Sequence, residues 1–172
     1  GQTIPWSGAI NYSHYGTINH GTVRMVGGEF QGWPQENPSR AIRLWGLGNQ
    51  QMDLSYSESL GTVYQEFRDG QISVGSRVVL EGWALHDSAD PIQAGSDAYL
   101  VIKCFNADYS ENLCTGSQSR GIAGQMVDSW QSLSVVIPSL PAGTVHVQVG
   151  MEFHECQGAA CNSVGGSAYF DG

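Results

Sequence analysis

A chain of 172 residues fits one domain of ordinary size, and at that length roughly 70% of the unfolded surface is buried without help from a metal or a disulfide. Apolar residues make up 41% and charged residues 13%, with 23 glycines, which excludes a disordered chain and argues against a helical one, whose exposed faces carry many Lys, Glu and Arg. Seven basic residues against sixteen acidic ones, for a net charge of -9 with Lys103 as the one lysine, leave no basic cluster for a phosphate backbone or an anionic membrane surface.

Along the chain, residues 1–20 are polar and aromatic with weak alternation, compatible with an edge strand, a capping loop or an arm. From there period-two alternation dominates. It predicts strands at 22–26, 41–45, 62–67, 77–86, 98–105, 132–137, 144–153 and 167–170, separated by clusters of Gly, Pro, Asn and Asp. In 77–86, Trp83 shares a face with Val79, Glu81 and Leu85, so it is either packed or offered to a ligand. In 98–105, Ala98, Leu100, Ile102 and Cys104 form one face and Tyr99, Val101, Lys103 and Phe105 the other. In 144–153, Val145, Val147, Val149, Met151 and Phe153 oppose His146, Gln148, Gly150 and Glu152. No segment of ten residues keeps an i, i+3, i+4 apolar pattern, and none approaches the ~18 apolar residues of a membrane helix. Many short strands with turn signals at this spacing predict an all-β chain, an antiparallel jelly-roll β-sandwich in a single domain.

The four cysteines form two close pairs, Cys104 with Cys114 and Cys156 with Cys161. Two local disulfides in a secreted, extracellular protein are expected, the first stapling the hairpin around 106–112, although four cysteines allow three connectivities. A zinc site at Cys156 and Cys161 with His154, or free thiols, are the alternatives. The opening Gly1-Gln2-Thr3-Ile4 is no charged and then apolar leader, so a secretion signal is expected to have been removed or to lie outside these residues. The acidic surplus suits a hard cation such as calcium and serves solubility equally well.

Enzyme signatures are absent: there is no G-x-S-x-G, no H-E-x-x-H, no phosphate loop and no G-x-G-x-x-G after a strand. Glu152 and Glu155 read either as a carboxylate pair or as a polar strand face running into a solvated loop. The aromatic content says more. Five Trp and seven Tyr leave several rings off the core face, where they can stack on the C–H faces of sugars while Asn, Gln, Glu, Lys or His bond the hydroxyls.

These residues stand within a longer pattern. Asn37-Pro-Ser-Arg-Ala-Ile-Arg-Leu-Trp-Gly46, Val63-Tyr-Gln-Glu-Phe67, Ile72 through Trp83 and Ala98-Tyr-Leu-Val-Ile-Lys-Cys-Phe-Asn-Ala-Asp108 occur in order. They are followed by Trp130-Gln-Ser-Leu-Ser-Val135, Pro141-Ala-Gly-Thr-Val145 and Ala168-Tyr-Phe-Asp171. The series resembles the jelly-roll carbohydrate-binding modules of the group holding families four, nine, sixteen and twenty-two. It covers about residues 37–171, so that 36–172 would form the sandwich and 1–35 an arm or first strand without counterpart. The resemblance implies a structural calcium where the first and last strands meet. Asp171 matches an aspartate of the group's Tyr-Phe-Asp-Asp-Val ending, and Glu29 stands in Gly27-Gly-Glu-Phe30, an altered order of the group's first strand. The chain reaches Gly172 where the group continues, so its last strand is expected to be short or completed by something else.

The resulting expectation is a non-catalytic, secreted module binding a polysaccharide in a groove on one sheet, through Tyr99, Lys103, His146, Gln148 and Glu152, with Trp83 or Trp130 as further platforms. The alternative is a structural subunit of an extracellular filament, tube or layer, assembling with other copies of itself by strand exchange at an open edge. A small glycoside hydrolase or lyase is the third possibility. Nucleic acid and membrane insertion are not expected.

Overall fold

Among the described residues, alternating side chains build nine strands: β1 (Ala9–Asn11), β2 (Thr22–Val26), β3 (Ala41–Trp45), β4 (Glu58–Phe67), β5 (Val78–Leu85), β6 (Asp97–Phe105), β7 (Gln131–Ile137), β8 (His146–Cys156) and β9 (Ser167–Asp171). The computed structural model describes residues 9–11, 22–26, 41–45, 58–68, 70–114, 117–156 and 166–171. A four-stranded sheet runs β1-β4-β8-β6 and a five-stranded sheet runs β2-β3-β9-β5-β7, with every pairing antiparallel. This is the expected all-β sandwich. Each of the eight predicted strands forms, and residues 9–11 take the edge-strand role among the three readings of the first twenty residues.

The core lies between the sheets. Leu100, Ile102, Cys104, Val147, Val149, Met151 and Phe153 on one side meet Leu44, Ala84, Leu133, Val135, Ile137, Ala168 and Phe170 on the other. Alternation predicts these inward faces, because in a strand every second side chain shares a face. β4 and β8 outrun their predicted ends by three residues or more. β4 begins at Glu58 because Glu58 to Phe67 all find partners on β8, from Cys156 to Val147. A long neighbour thus supplies pairing for Glu-Ser-Leu-Gly, whose own pattern is weak.

Residues 112–114 and 117–122, read from sequence as connection, lie along the far edge of β6. Leu113 N donates to Cys104 O (2.7 Å), Ile102 N to Ser117 O (2.9 Å) and Ser119 N to Leu100 O (2.9 Å). This irregular return shields an edge that would otherwise present unpaired backbone groups. The Cys104–Cys114 disulfide closes the start of it across a sequence separation of 10. A loop this short contributes about 2–3 kcal/mol in the chain-entropy account. Cys156's side chain and Cys161 lie outside the described residues, as does Glu29.

After β5 the chain folds back over one end of the five-stranded sheet. Asp90 pairs with Arg43 (2.8 Å), whose guanidinium sits 5.3 Å from the Tyr169 ring centroid, and Asp90 O accepts from Ser167 N (3.2 Å). Leu85 and Tyr169 point outward by alternation, yet this loop buries them. The approach is close enough that a Cβ on Gly166, at φ +98°, would stand 2.4 Å from Pro91 O.

Candidate functional site

β8 runs between β4 and β6, so its outward residues have neighbours on both sides. The registers set Tyr99 beside Glu152, Lys103 beside Gln148 and Phe105 beside His146. From β4 they set Thr62 beside Glu152, Tyr64 beside Gly150 and Glu66 beside Gln148. Tyr99, Lys103, His146, Gln148 and Glu152 therefore share the outer face of the four-stranded sheet, since each alternates with a core residue on its own strand. At about 3.3 Å per residue, the row from Tyr99 to Phe105 spans roughly 20 Å.

Glu152 is not the solvated groove residue that alternation suggests. It is 4% exposed and forms an ion pair with Lys103, which joins the two strands at the centre of the face. A carboxylate this buried needs such a partner. Glu155 is fully buried and, three residues further along the strand, points into the sandwich rather than out. The two do not form a pair, and neither belongs to a solvated face: an odd spacing in a strand puts side chains on opposite sides.

A second carboxylate, missed in the sequence, organises one end of the face. Glu66 Oε1 accepts from Arg68 Nε (2.8 Å) and from the Tyr109 hydroxyl (2.7 Å), and Glu66 Oε2 accepts from Gln148 Nε2 (3.0 Å). With its proton given to Glu66, the Tyr109 hydroxyl accepts from His146 Nδ1 at 3.0 Å, and the two rings stack with centroids 4.1 Å apart. Burial works to raise the Glu66 carboxyl, but the bonds from Gln148, Tyr109 and Arg68, with the Arg68 charge, outweigh it and hold the group below its ordinary value. The carboxylate is thus kept ionised and fixed in direction.

This has a pH signature. A carboxyl lowered in the folded state contributes stability that is complete above its ordinary value of 4.5 and lost as the pH falls from there through the lowered value. The Glu66→Gln variant should therefore lose less melting temperature than the parent protein as the pH is taken downward from 4.5. Parallel curves for the two proteins would rule out this role for Glu66.

Tyr109 reaches the face from the loop between Cys104 and Cys114. Its backbone is left-handed (φ 59°), a conformation uncommon outside glycine, and local bonds hold it: Tyr109 N to Asn106 O (3.2 Å), Ser110 N to Asp108 Oδ1 (3.1 Å) and Asn106 Nδ2 to Ser110 Oγ (2.8 Å). The ring is 41% exposed and also meets Phe105, centroids 5.6 Å apart. Alternation in 62–67 was the signal that could have placed Tyr64 and Glu66. No local signal points to Tyr109.

The tryptophans go elsewhere. Trp83 on β5 and Trp130, just before β7, belong to the five-stranded sheet and do not join the Tyr99 face. Asp171 ends β9, in register with Trp83.

No protein-family model and no curated protein matches this chain. Solved structures do. One, of carbohydrate-binding modules from the beta-sandwich superfamily, aligns with a TM-score of 0.56 at 15% identity, over 88% of this chain and 51% of that one. The enzymatically active domain of tailspike protein 4 from bacteriophage CBA120 aligns with a TM-score of 0.52 at 11% identity, over 88% of this chain and 18% of that one. The CBM22-2 xylan-binding domain of Paenibacillus barcinonensis Xyn10C gives 0.49 at 15% identity, over 94% and 88%. This chain spans about half the length of the first of these. The likeness is one of fold: the chain has the β-sandwich of carbohydrate-binding modules, as its motif series implied.

Proposed function

We propose that this protein is a secreted, non-catalytic carbohydrate-binding module that takes a polysaccharide along the outer face of its four-stranded sheet. The observation carrying this reading is the convergence on one face of flat rings, Tyr99 and Tyr109, with fixed hydroxyl-bonding groups, Gln148, His146, Lys103 and Glu66. Sugar rings would stack on the tyrosines and exchange hydrogen bonds with the polar set, with no bond broken. Lys103 offsets Glu152 and Arg68 offsets Glu66, a balance that suits an uncharged glycan. Glu66 is held ionised, which is the wrong state for a proton donor near neutrality. The Cys104–Cys114 bridge supports an oxidising compartment.

Affinity electrophoresis through gels holding neutral soluble β-glucan, xylan or mannan tests the reading. The parent protein should be retarded by at least one, and Gln148→Ala, which also frees Glu66 Oε2, should be retarded less. Retardation by none of these glycans overturns the proposal.

The calcium implied by the motif resemblance is a separate part of the proposal. Asp171 is half-buried at the end of β9, and among the described residues no three His, Cys, Asp or Glu gather to hold a metal. Since calcium takes 6–8 oxygens, the fit rests on Glu29 and on backbone carbonyls near Asp171. A chelator should lower the melting temperature by several degrees, and calcium but not magnesium should restore it. An unchanged melting curve would remove the ion from the account.

A further inference from the structure

The two tryptophans expected as further platforms of the groove belong instead to the opposite sheet. Across the β5–β7 ladder, Trp83 faces Ser132 and Glu81 faces Ser134. Continued one step, the same register sets Trp130 beside Leu85, on the rung next to Trp83. Trp83, Glu81, Ser132 and Ser134 alternate with the core residues Ala84, Leu133 and Val135, so they lie on the outer face of the five-stranded sheet, and Trp130 immediately precedes β7. The loop after β5 roofs that face only as far as Leu85 and Tyr169. Beyond it, Trp83 is half-buried and Glu81, Ser132 and Ser134 are exposed, while Trp130, on the Leu85 rung, is half-buried with its ring nitrogen out of solvent.

The core between the sheets is filled on this side by Ala84, Leu133 and Val135 and includes neither indole. Small serines across from Trp83 leave that flank of its ring open. Arg120, itself exposed, donates to Ser132 O (3.4 Å) and to Gln125 Oε1 (3.1 Å), which holds its guanidinium at the border of the strip. Flat rings beside hydroxyls, with the carboxylates of Glu81 and of Asp171, which stands across from Trp83 on β9, and one guanidinium, supply faces to stack on and groups to bond the hydroxyls of a sugar chain. A polyanion would meet Glu81, and a protein partner would find little apolar surface outside the indoles, since Val79 and Val136 form the one exposed apolar pair of this ladder.

We propose that this strip is a second contact for neutral polysaccharide, independent of the groove, so that one molecule bridges two glycan chains. Its ligand class rests on the carbohydrate reading of the groove. The two faces look away from each other across a sandwich whose sheets are about 10 Å apart, so a straight chain lying along one cannot touch the other. Bridging should appear as turbidity or aggregation of a soluble polysaccharide at protein concentrations that saturate it.

The test uses three proteins in the same glycan-containing gels and turbidity assay: the parent, a groove variant (Tyr109→Ala with Gln148→Ala), and Ser132→Lys, which lays a long side chain toward Trp83 from an exposed position. Trp83→Ala serves as a fourth, with melting curves to confirm folding. The groove variant should keep weakened binding without turbidity, and adding Ser132→Lys to it should lower what remains by about tenfold or more. If the groove variant binds nothing while the parent binds, the strip is not a site and the groove stands. If binding survives in the groove variant unchanged and is lost in Ser132→Lys, the strip stands and the groove reading fails. Binding by no protein overturns both. Self-association that Ser132→Lys abolishes, without change in glycan binding, would assign the face to a second copy and overturn the proposal.

Discussion

Cutting Tyr109 back to alanine is expected to weaken binding of a neutral soluble polysaccharide about 30-fold, roughly 2 kcal/mol, the loss typical of a central aromatic contact. Isothermal titration calorimetry would read it directly. The fold should survive, because the ring is 41% exposed and its left-handed backbone already carries strain that a smaller residue does not increase. Two effects add in this variant. The stacking face is lost, and Glu66 loses one of the donors that keep it ionised and oriented. Tyr109→Phe separates them: it keeps the ring but gives up the bonds to Glu66 and His146, and should fall between parent and alanine. Equal affinities for parent and Tyr109→Ala would show that the loop contributes nothing to recognition. The disulfide between Cys104 and Cys114 matters here because it closes the loop from which Tyr109 projects, so the platform is held before the ligand arrives.

Gly150→Ala should produce a large stability loss. A Cβ there would stand 2.2 Å from Val63 O and 2.8 Å from Tyr64 Cα. Both are backbone atoms of the neighbouring strand, so no rotamer change relieves the overlap. β4 and β8, paired over ten residues, would have to separate at their middle. An overpacking cost of about 3 kcal/mol follows, which for a domain of this length lowers the melting temperature by roughly 6–12 °C. Gly124→Ala is the matched control: nothing lies within 4 Å of its added methyl, and its melting temperature should stay within about a degree of the parent. Similar melting temperatures for Gly150→Ala and the parent would mean that the strands approach less closely than the geometry requires. The same glycine leaves the groove floor bare between Tyr64 and Val101, so its replacement should also disturb binding.

Local alternation was enough to read the strands and which side of each faces the core. Ala98, Leu100, Ile102 and Cys104 turned inward, as did Val147, Val149, Met151 and Phe153, because period-two alternation is a property of a few neighbouring residues and needs no partner to be read. The Cys104–Cys114 bridge was legible for the same reason, its two ends being close in the chain. Only the tertiary structure decided which outward faces meet. Glu66 and Gln148 are 82 residues apart and Lys103 and Glu152 are 49 apart, and strand pairing alone makes them neighbours. Pairing also gave Glu58–Gly61 a place on β4, set 112–114 and 117–122 along β6, and brought Tyr109 over His146 from a loop with no periodicity of its own. Alternation sends Trp83 and Tyr99 alike away from the core, but it says nothing about which sheet each strand joins. That choice depends on contacts between residues far apart in sequence, and it put Trp83 on one side of the sandwich and Tyr99 on the other.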